Sequence, residues 1–282
     1  MLAHLISRGL GVPDEAQALS VLGRIDYYRL LVYMRPFQQR GAETGARTFV
    51  PGTSIGDILA LYEFDRELRL LSLDAVERVE VALRAAVVSE VAVQHGAHFY
   101  LQSKHFTTPD AWARFNAAVQ EEAPRHAAGK HYLQNYDTPP APPIWVAMEA
   151  STFGTLSHMF SNLQLGLRRA ISRRFGYDEV VLTSWFRSLT ILRNIAAHHG
   201  RLWDAPLTAD KPLKAKRIKD EFGQASSKFF PRAVVAAALL DALGQGGLWR
   251  SKFRALMDAH PFVDEERMGC LPGWRSRPFW NP

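Results

Sequence analysis

The chain has little sulfur chemistry to offer: its 282 residues include one cysteine, Cys270. An internal disulfide framework and a cysteine zinc site are thereby excluded, and a reducing cytoplasm is the expected compartment. Long apolar runs are also missing. Val234–Leu240 is among the longest and falls far short of the roughly 20 residues that span a bilayer, so no membrane partner is expected. The opening MLAHLISRGL lacks a long apolar core and a cleavage pattern, so no signal peptide is expected. Apolar–polar alternation never survives beyond four or five residues, and no fixed-period repeat is visible. That leaves an essentially all-α chain. His95 and His98 lie three apart without a third ligand at suitable spacing, so neither a metal nor a cofactor is expected.

What is present is an ordinary globular composition, 47% apolar and 22% charged, able to bury a core. The net charge is +6 and the pI about 9.5. This favours an anionic partner, with nucleic acid ahead of a membrane surface. Two short helices around a turn at Gly11–Asp14 are expected within residues 1–40, with Asp14 as a cap. Residues 41–53 read as a polar Gly/Thr loop. Thr53 or Ser54 opens a long helix to about Gln94, and Gly96 ends it. Leu61, Phe64, Leu68, Leu71, Ala75, Val79, Leu83 and Ala86 form its apolar stripe. Further helices are expected near 110–122, 144–150, 153–163, 165–175, from Asp178 onward, 231–243 and 247–259. The tail after Met268 is too rich in Gly and Pro for regular structure.

The stretch Leu192–Trp203, LRNIAAHHGRLW, stands out. Arg193 and His198 frame an R-x-x-x-x-H spacing, with Asn194 and His199 beside them. Arg is a permanent cation that grips phosphate with two donors. His moves protons near neutral pH. Together they suffice to cut RNA without metal, the His taking a 2′-hydroxyl proton and the Arg stabilising charge on the phosphate. The same residues at a helix end also fit simple capping and dipole chemistry. Five residues turn an ideal helix by about 140°, so Arg193 and His198 do not share a face, whereas Asn194 and His198 do.

Asp74, Glu77 and Glu80 recur every three residues; they could act as acids or bases or bind a metal, and pairing with Arg78, Arg84 and nearby Arg residues is the favoured reading. His199, Glu77, Arg84 and Glu149 are candidate supports for the motif. Glu149 would either orient a motif side chain or make a buried ion pair. Tyr27, Tyr28 and Arg29 could stack on bases. The basic stretches Arg168, Arg169, Arg173, Arg174 and Lys214, Lys216, Arg217, with Arg201, form a candidate RNA footprint.

Four segments in order, IDYYRLLVYMRPF (Ile25–Phe37), FDRELRLLSLDAVERVEVALR (Phe64–Arg84), PPIWVAMEASTFGTLSHMFSNL (Pro142–Leu163) with the RNIAAHHGRLW run, and MGCLPGW (Met268–Trp274), resemble Abi-like (abortive infection, AbiD/AbiF type) proteins. Their core is placed in the HEPN ribonuclease superfamily. The resemblance implies a HEPN-type helical bundle with extra N- and C-terminal helices. It also implies a homodimer whose two copies of the motif share one cleft, and metal-independent endoribonuclease activity in phage defence. On this resemblance Arg193 and His198 are the motif pair and Asn194 the polar residue beside the Arg. A toxin-like activity held back by an inhibitory RNA or protein partner would fit. The expected limits are 1–52 for an N-terminal segment, 53–225 for the HEPN-like core and 226–282 for C-terminal helices. A protein that binds a small regulatory RNA or tRNA without cutting it, and a dimeric scaffold, are the alternatives.

Overall fold

The computed structural model describes residues 1–40, 46–223 and 227–281. Its α-helices are α1 (Leu2–Ser7), α2 (Glu15–Arg24), α3 (Tyr27–Met34), α4 (Ile55–Val87), α5 (Val93–His95), α6 (Pro109–Glu122), α7 (Ala127–Asn135), α8 (Ile144–Ala150), α9 (Phe153–Asn162), α10 (Leu165–Phe175), α11 (Glu179–Ala197), α12 (Phe230–Ala242) and α13 (Gly246–Ala259). Among the described residues there is one sheet, the antiparallel pair β1 (Gln38–Arg40) and β2 (Arg47–Phe49). The fold is all-α.

Local chemistry sets the long elements. Ser54 and Asp57 form a capping box at the start of α4: the Ser54 amide donates to Asp57 Oδ2 at 2.8 Å and the Asp57 amide to Ser54 Oγ at 3.3 Å. A π-helical turn, Val88–Ala92, carries α4 into α5, and Gly96 at φ +90° stops it. Asp14 caps α2 by accepting from the Gln17 amide. The N-terminal segment holds three helices rather than two. The expected loop at 41–53 contains strand β2, a short piece that gives no alternation signal over three residues. Residues 41–45 of that loop, and the expected boundary between 225 and 226, lie outside the described residues. Helix α7 has no counterpart in the sequence pattern: its GKHYLQN run has a single buried residue, Gly129, and so carries little apolar periodicity.

The chain divides into two compact units, residues 1–69 with 256–263, and residues 70–255 with 264–282. In the first, Leu30, Tyr33, Met34, Ile58, Leu61, Phe64 and Leu68 are buried. Asp65 and Arg69 are buried among them and pair one turn apart on α4. Tyr33 donates its hydroxyl to Asp65 Oδ2 at 2.7 Å and accepts from Arg69 at 3.0 Å. Burial and the Asp65 carboxylate push the Tyr33 phenol up, which keeps it a neutral donor.

The second unit is built round α12. Every residue from Phe230 to Leu240 is buried, apolar on all sides except Arg232, as expected of a core helix. Arg232 spends its charge on backbone carbonyls, donating to Leu207 and Ala209 at 2.8 and 3.0 Å. Burial lowers its guanidinium to about 10. Helix α11 packs against α9, α10 and α12. Phe153, Phe160 and Phe175 meet Phe186 edge-on at centroid distances of 5.2–6.3 Å. The Gly/Pro-rich tail forms only short 3-10 turns, yet buries Trp274 and Trp280 against Phe230 and Phe253.

Removing one member of a buried ion pair leaves the other charge uncompensated, at a cost of about 3–5 kcal/mol. Asp65→Ala is therefore expected to lose about that much stability in urea unfolding. Asp14→Ala, which removes an exposed cap, should lose about 1 kcal/mol.

Candidate functional site

Helix α11 turns Leu182, Trp185, Phe186, Leu189, Leu192 and Ala196 inward. The same rotation leaves Arg193 half-buried at the edge of that face and Asn194 and His198 exposed. Arg193 Nη1 donates to Asn194 Oδ1 at 3.3 Å. The helix ends in a Schellman arrangement: the Gly200 amide bonds the Ile195 carbonyl at 2.7 Å and the His199 amide the Ala196 carbonyl at 3.0 Å. His198 is the cap residue, and His199 takes the left-handed conformation, φ +59°. Gly more commonly fills that position, so the backbone holds His199 against its preference. A Cβ on Gly200 would stand 2.8 Å from Ile195 Cγ2 and 3.1 Å from its carbonyl oxygen, so the turn is closed tightly under the two histidines.

Arg193 faces charge from α4. Arg84 donates to Glu80 Oε1 at 2.6 Å, to Glu149 Oε2 at 3.3 Å and to the Ser151 carbonyl at 3.2 Å. Burial holds the Glu80 carboxyl above the usual carboxylate value, against the pull of Arg84 and Arg193, and Glu149 and Glu77 add to the rise. The structure thus groups Arg193 and Asn194 with Arg84, Glu80, Glu149 and Glu77. Glu149 meets Arg84 with its carboxylate more than half exposed, which overturns the buried-pair alternative of the two readings given for it. Glu80, for which the sequence favours a helix pairing, also feels the charge of Arg193. Its spacing from Arg84 announced the pair, but nothing in the spacing announced the charge of Arg193. Asp74 pairs with Arg78 at 2.8 Å, apart from this group.

The two basic stretches meet. Trp185 Nε1 donates to the Leu213 carbonyl and the Leu213 amide to Ser184 Oγ, at 2.8 and 2.9 Å, which pins the 211–219 segment beside α11. Arg169, Arg173, Lys216 and Arg217 then line one cleft of about 620 Å³, with Tyr177 and Glu179. Arg217 lies over the Tyr177 ring at 3.8 Å. Arg169 reaches Glu179 at 3.5 Å and Arg174 reaches Glu90 at 3.9 Å. Lys214 donates to the Gly223 carbonyl and Arg201 to the Asp204 carbonyl, and Arg168 sits half-buried on α10. Tyr27 and Tyr28 pack edge-on, with Tyr28 exposed.

The sequence profile of Abi-like proteins matches residues 20–204. The chain belongs to the Abi-like protein family. Membership implies a part in abortive-infection defence against phage. Neither a curated protein nor a solved structure matches the chain. The matched span of this Abi-like protein includes Glu80, Arg84, Glu149, Arg193, Asn194 and His198, whereas Lys214, Lys216 and Arg217 lie beyond it. No helix of the described residues is long and apolar enough to cross a membrane. No group of three or more His, Cys, Asp or Glu residues among them is placed to hold a metal ion.

A carboxyl whose folded value is raised contributes stability that is complete below its unfolded value and is lost as pH rises through the folded one. For Glu80 that loss begins above pH 4.5. Parent protein should therefore lose stability relative to Glu80→Gln as urea unfolding is repeated from pH 4 to 8. A parent that instead gained on the variant would show that the Arg84 bridge outweighs burial.

Proposed function

We propose that this Abi-like protein is a HEPN-type, metal-independent endoribonuclease of phage defence, active as a homodimer. The observation that carries the reading is the division of labour on α11: Arg193 is braced at the edge of the packed face, while Asn194 and His198 stand in solvent on one stripe. His198 would take the proton of a 2′-hydroxyl, whose oxygen attacks the adjacent phosphorus. Arg193 would stabilise the charge on the phosphoryl oxygens, and Asn194 would orient His198 or the phosphate. The 5′-oxygen leaves and is protonated by solvent, giving a 2′,3′-cyclic phosphate and a 5′-hydroxyl. Arg193 and His198 are turned about 140° apart on their helix, so a second copy supplying the complementary residue is the economical way to complete the site. Glu80 and Arg84 act as positioning residues for Arg193. The reading implies action where RNA is present, in the cytoplasm, and leaves room for an inhibitory RNA or protein.

Arg193→Ala and His198→Ala should each abolish cleavage of total RNA in EDTA, with the parent leaving cyclic-phosphate ends. Mixing the two inactive variants should restore part of the activity, because a shared cleft then regains one intact Arg–His pair. Cleavage that persists in the double variant would remove the proposal.

The basic cleft favours a second reading, an RNA-binding protein that does not cut. Four cations around one cleft need no catalytic partner to hold phosphates. A salt-sensitive shift of RNA in EDTA without cleavage would support it. Under either reading Arg173→Ala with Arg217→Ala should weaken RNA binding and reduce its salt slope by about 1.4, since two phosphates of a single strand are then no longer neutralised.

A further inference from the structure

The outward stripe of α11 does not stop at the motif. Arg187, Ile191, Asn194 and His198 follow one another at intervals of four, three and four residues, which keeps them within about 60° around the helix axis. Beside Arg187 lies a second cleft, of about 240 Å³, lined by Ser157 and His158 of α9, Arg187 and Thr190 of α11, and Asp210. Its chemistry is that of an anion subsite. Arg187 is exposed and offers a planar donor fork. Arg114 of α6 adds a second cation close enough to act on His158. Partial burial, with Arg114 and Arg187, holds the His158 imidazole below its usual value, so at neutral pH it stands uncharged and able to donate from one nitrogen. Ser157 is 2% exposed, and its Oγ finds no hydrogen-bond partner among the described residues. A buried hydroxyl left unmatched at the wall of a cleft is costly unless a ligand satisfies it. Asp210 is the carboxylate that lines this cleft, beside the Arg187 guanidinium.

We propose that Arg187, with His158 and Ser157 behind it, holds a second phosphate of the RNA strand whose scissile bond is presented to Asn194 and His198. This rests on the RNA reading above. Eleven residues of α-helix separate Arg187 from His198 by about 16 Å. The held phosphate is therefore not the scissile one but a neighbour along the same strand. The pairing of His158 with Arg187 is not written in either segment of the sequence, because α9 and α11 meet only in the folded chain.

The test is binding of a fluorescein-labelled eight-nucleotide 2′-O-methyl oligoribonucleotide, which lacks the attacking hydroxyl and cannot be cut. In fluorescence anisotropy Arg187→Gln should raise Kd about tenfold and lower the salt slope by about 0.7, the share of one neutralised phosphate. Arg187→Lys, which keeps the charge, should stay within about threefold of the parent. His158→Ala should weaken binding several-fold at unchanged salt slope, since it removes a neutral donor. Parent-like Kd and slope in Arg187→Gln would overturn the subsite and leave the RNA reading standing. A parent that binds no oligoribonucleotide would remove the RNA reading, and the subsite with it.

Discussion

The 3.6-residue repeat of α11 is the constraint on which the candidate site depends. Leu182, Trp185, Phe186, Leu189 and Leu192 are buried on one side. Five such side chains together are worth on the order of 10 kcal/mol. No surface interaction competes with that, so the rotation of the helix is not negotiable. Every polar residue on it then inherits an environment from its position in the repeat. Arg193 falls at the margin of the packed face and meets the charges of α4. Asn194 and His198 fall where solvent and ligands reach.

The termination of α11 works in the same direction. His198 caps the helix and His199 turns it in the left-handed region, while Gly200 closes against Ile195. The exposed histidine therefore sits on a firm turn rather than at a frayed end. The segment beyond it is tied down in turn. Lys228 reaches Asp204 at 2.8 Å, and Arg232 holds the Leu207 and Ala209 carbonyls from the core. An irregular segment keeps its place when a packed scaffold fixes it, and here the scaffold is α12.

Charge is managed by two different means. In the first unit Asp65, Arg69 and Tyr33 satisfy one another inside the core, where an unpaired member would be costly. Near the motif the balance is less complete. Glu80 has Arg84 and Arg193 to attract it, yet burial still outweighs them. A carboxyl held that way responds to a change in its neighbours. Sites of catalysis and binding commonly gather such perturbed groups.

Sequence alone determined the helical character, most helix limits and the motif at Leu192–Trp203. Those features rest on local rules: apolar residues three and four apart, Asp14 and Ser54 as caps, Gly96 and Gly176 as stops. Helix α10 begins and ends as its pattern says, at Leu165 and Phe175. Local rules missed β2, which three residues cannot announce, and α7, whose apolar content is too sparse. The i,i+4 spacing announced Glu80 as the partner of Arg84, but not that Glu149 of α8 reaches the same Arg84. Only the tertiary structure decided which distant residues share a cleft. Arg173 and Arg217 meet because Trp185 and Ser184 pin the 211–219 segment to α11. His158 and Arg187 meet because α9 packs on α11. The physical reason is the same in each case: helix periodicity is written within a few residues, whereas the company a side chain keeps is set by burial of apolar faces from elements far apart in the chain.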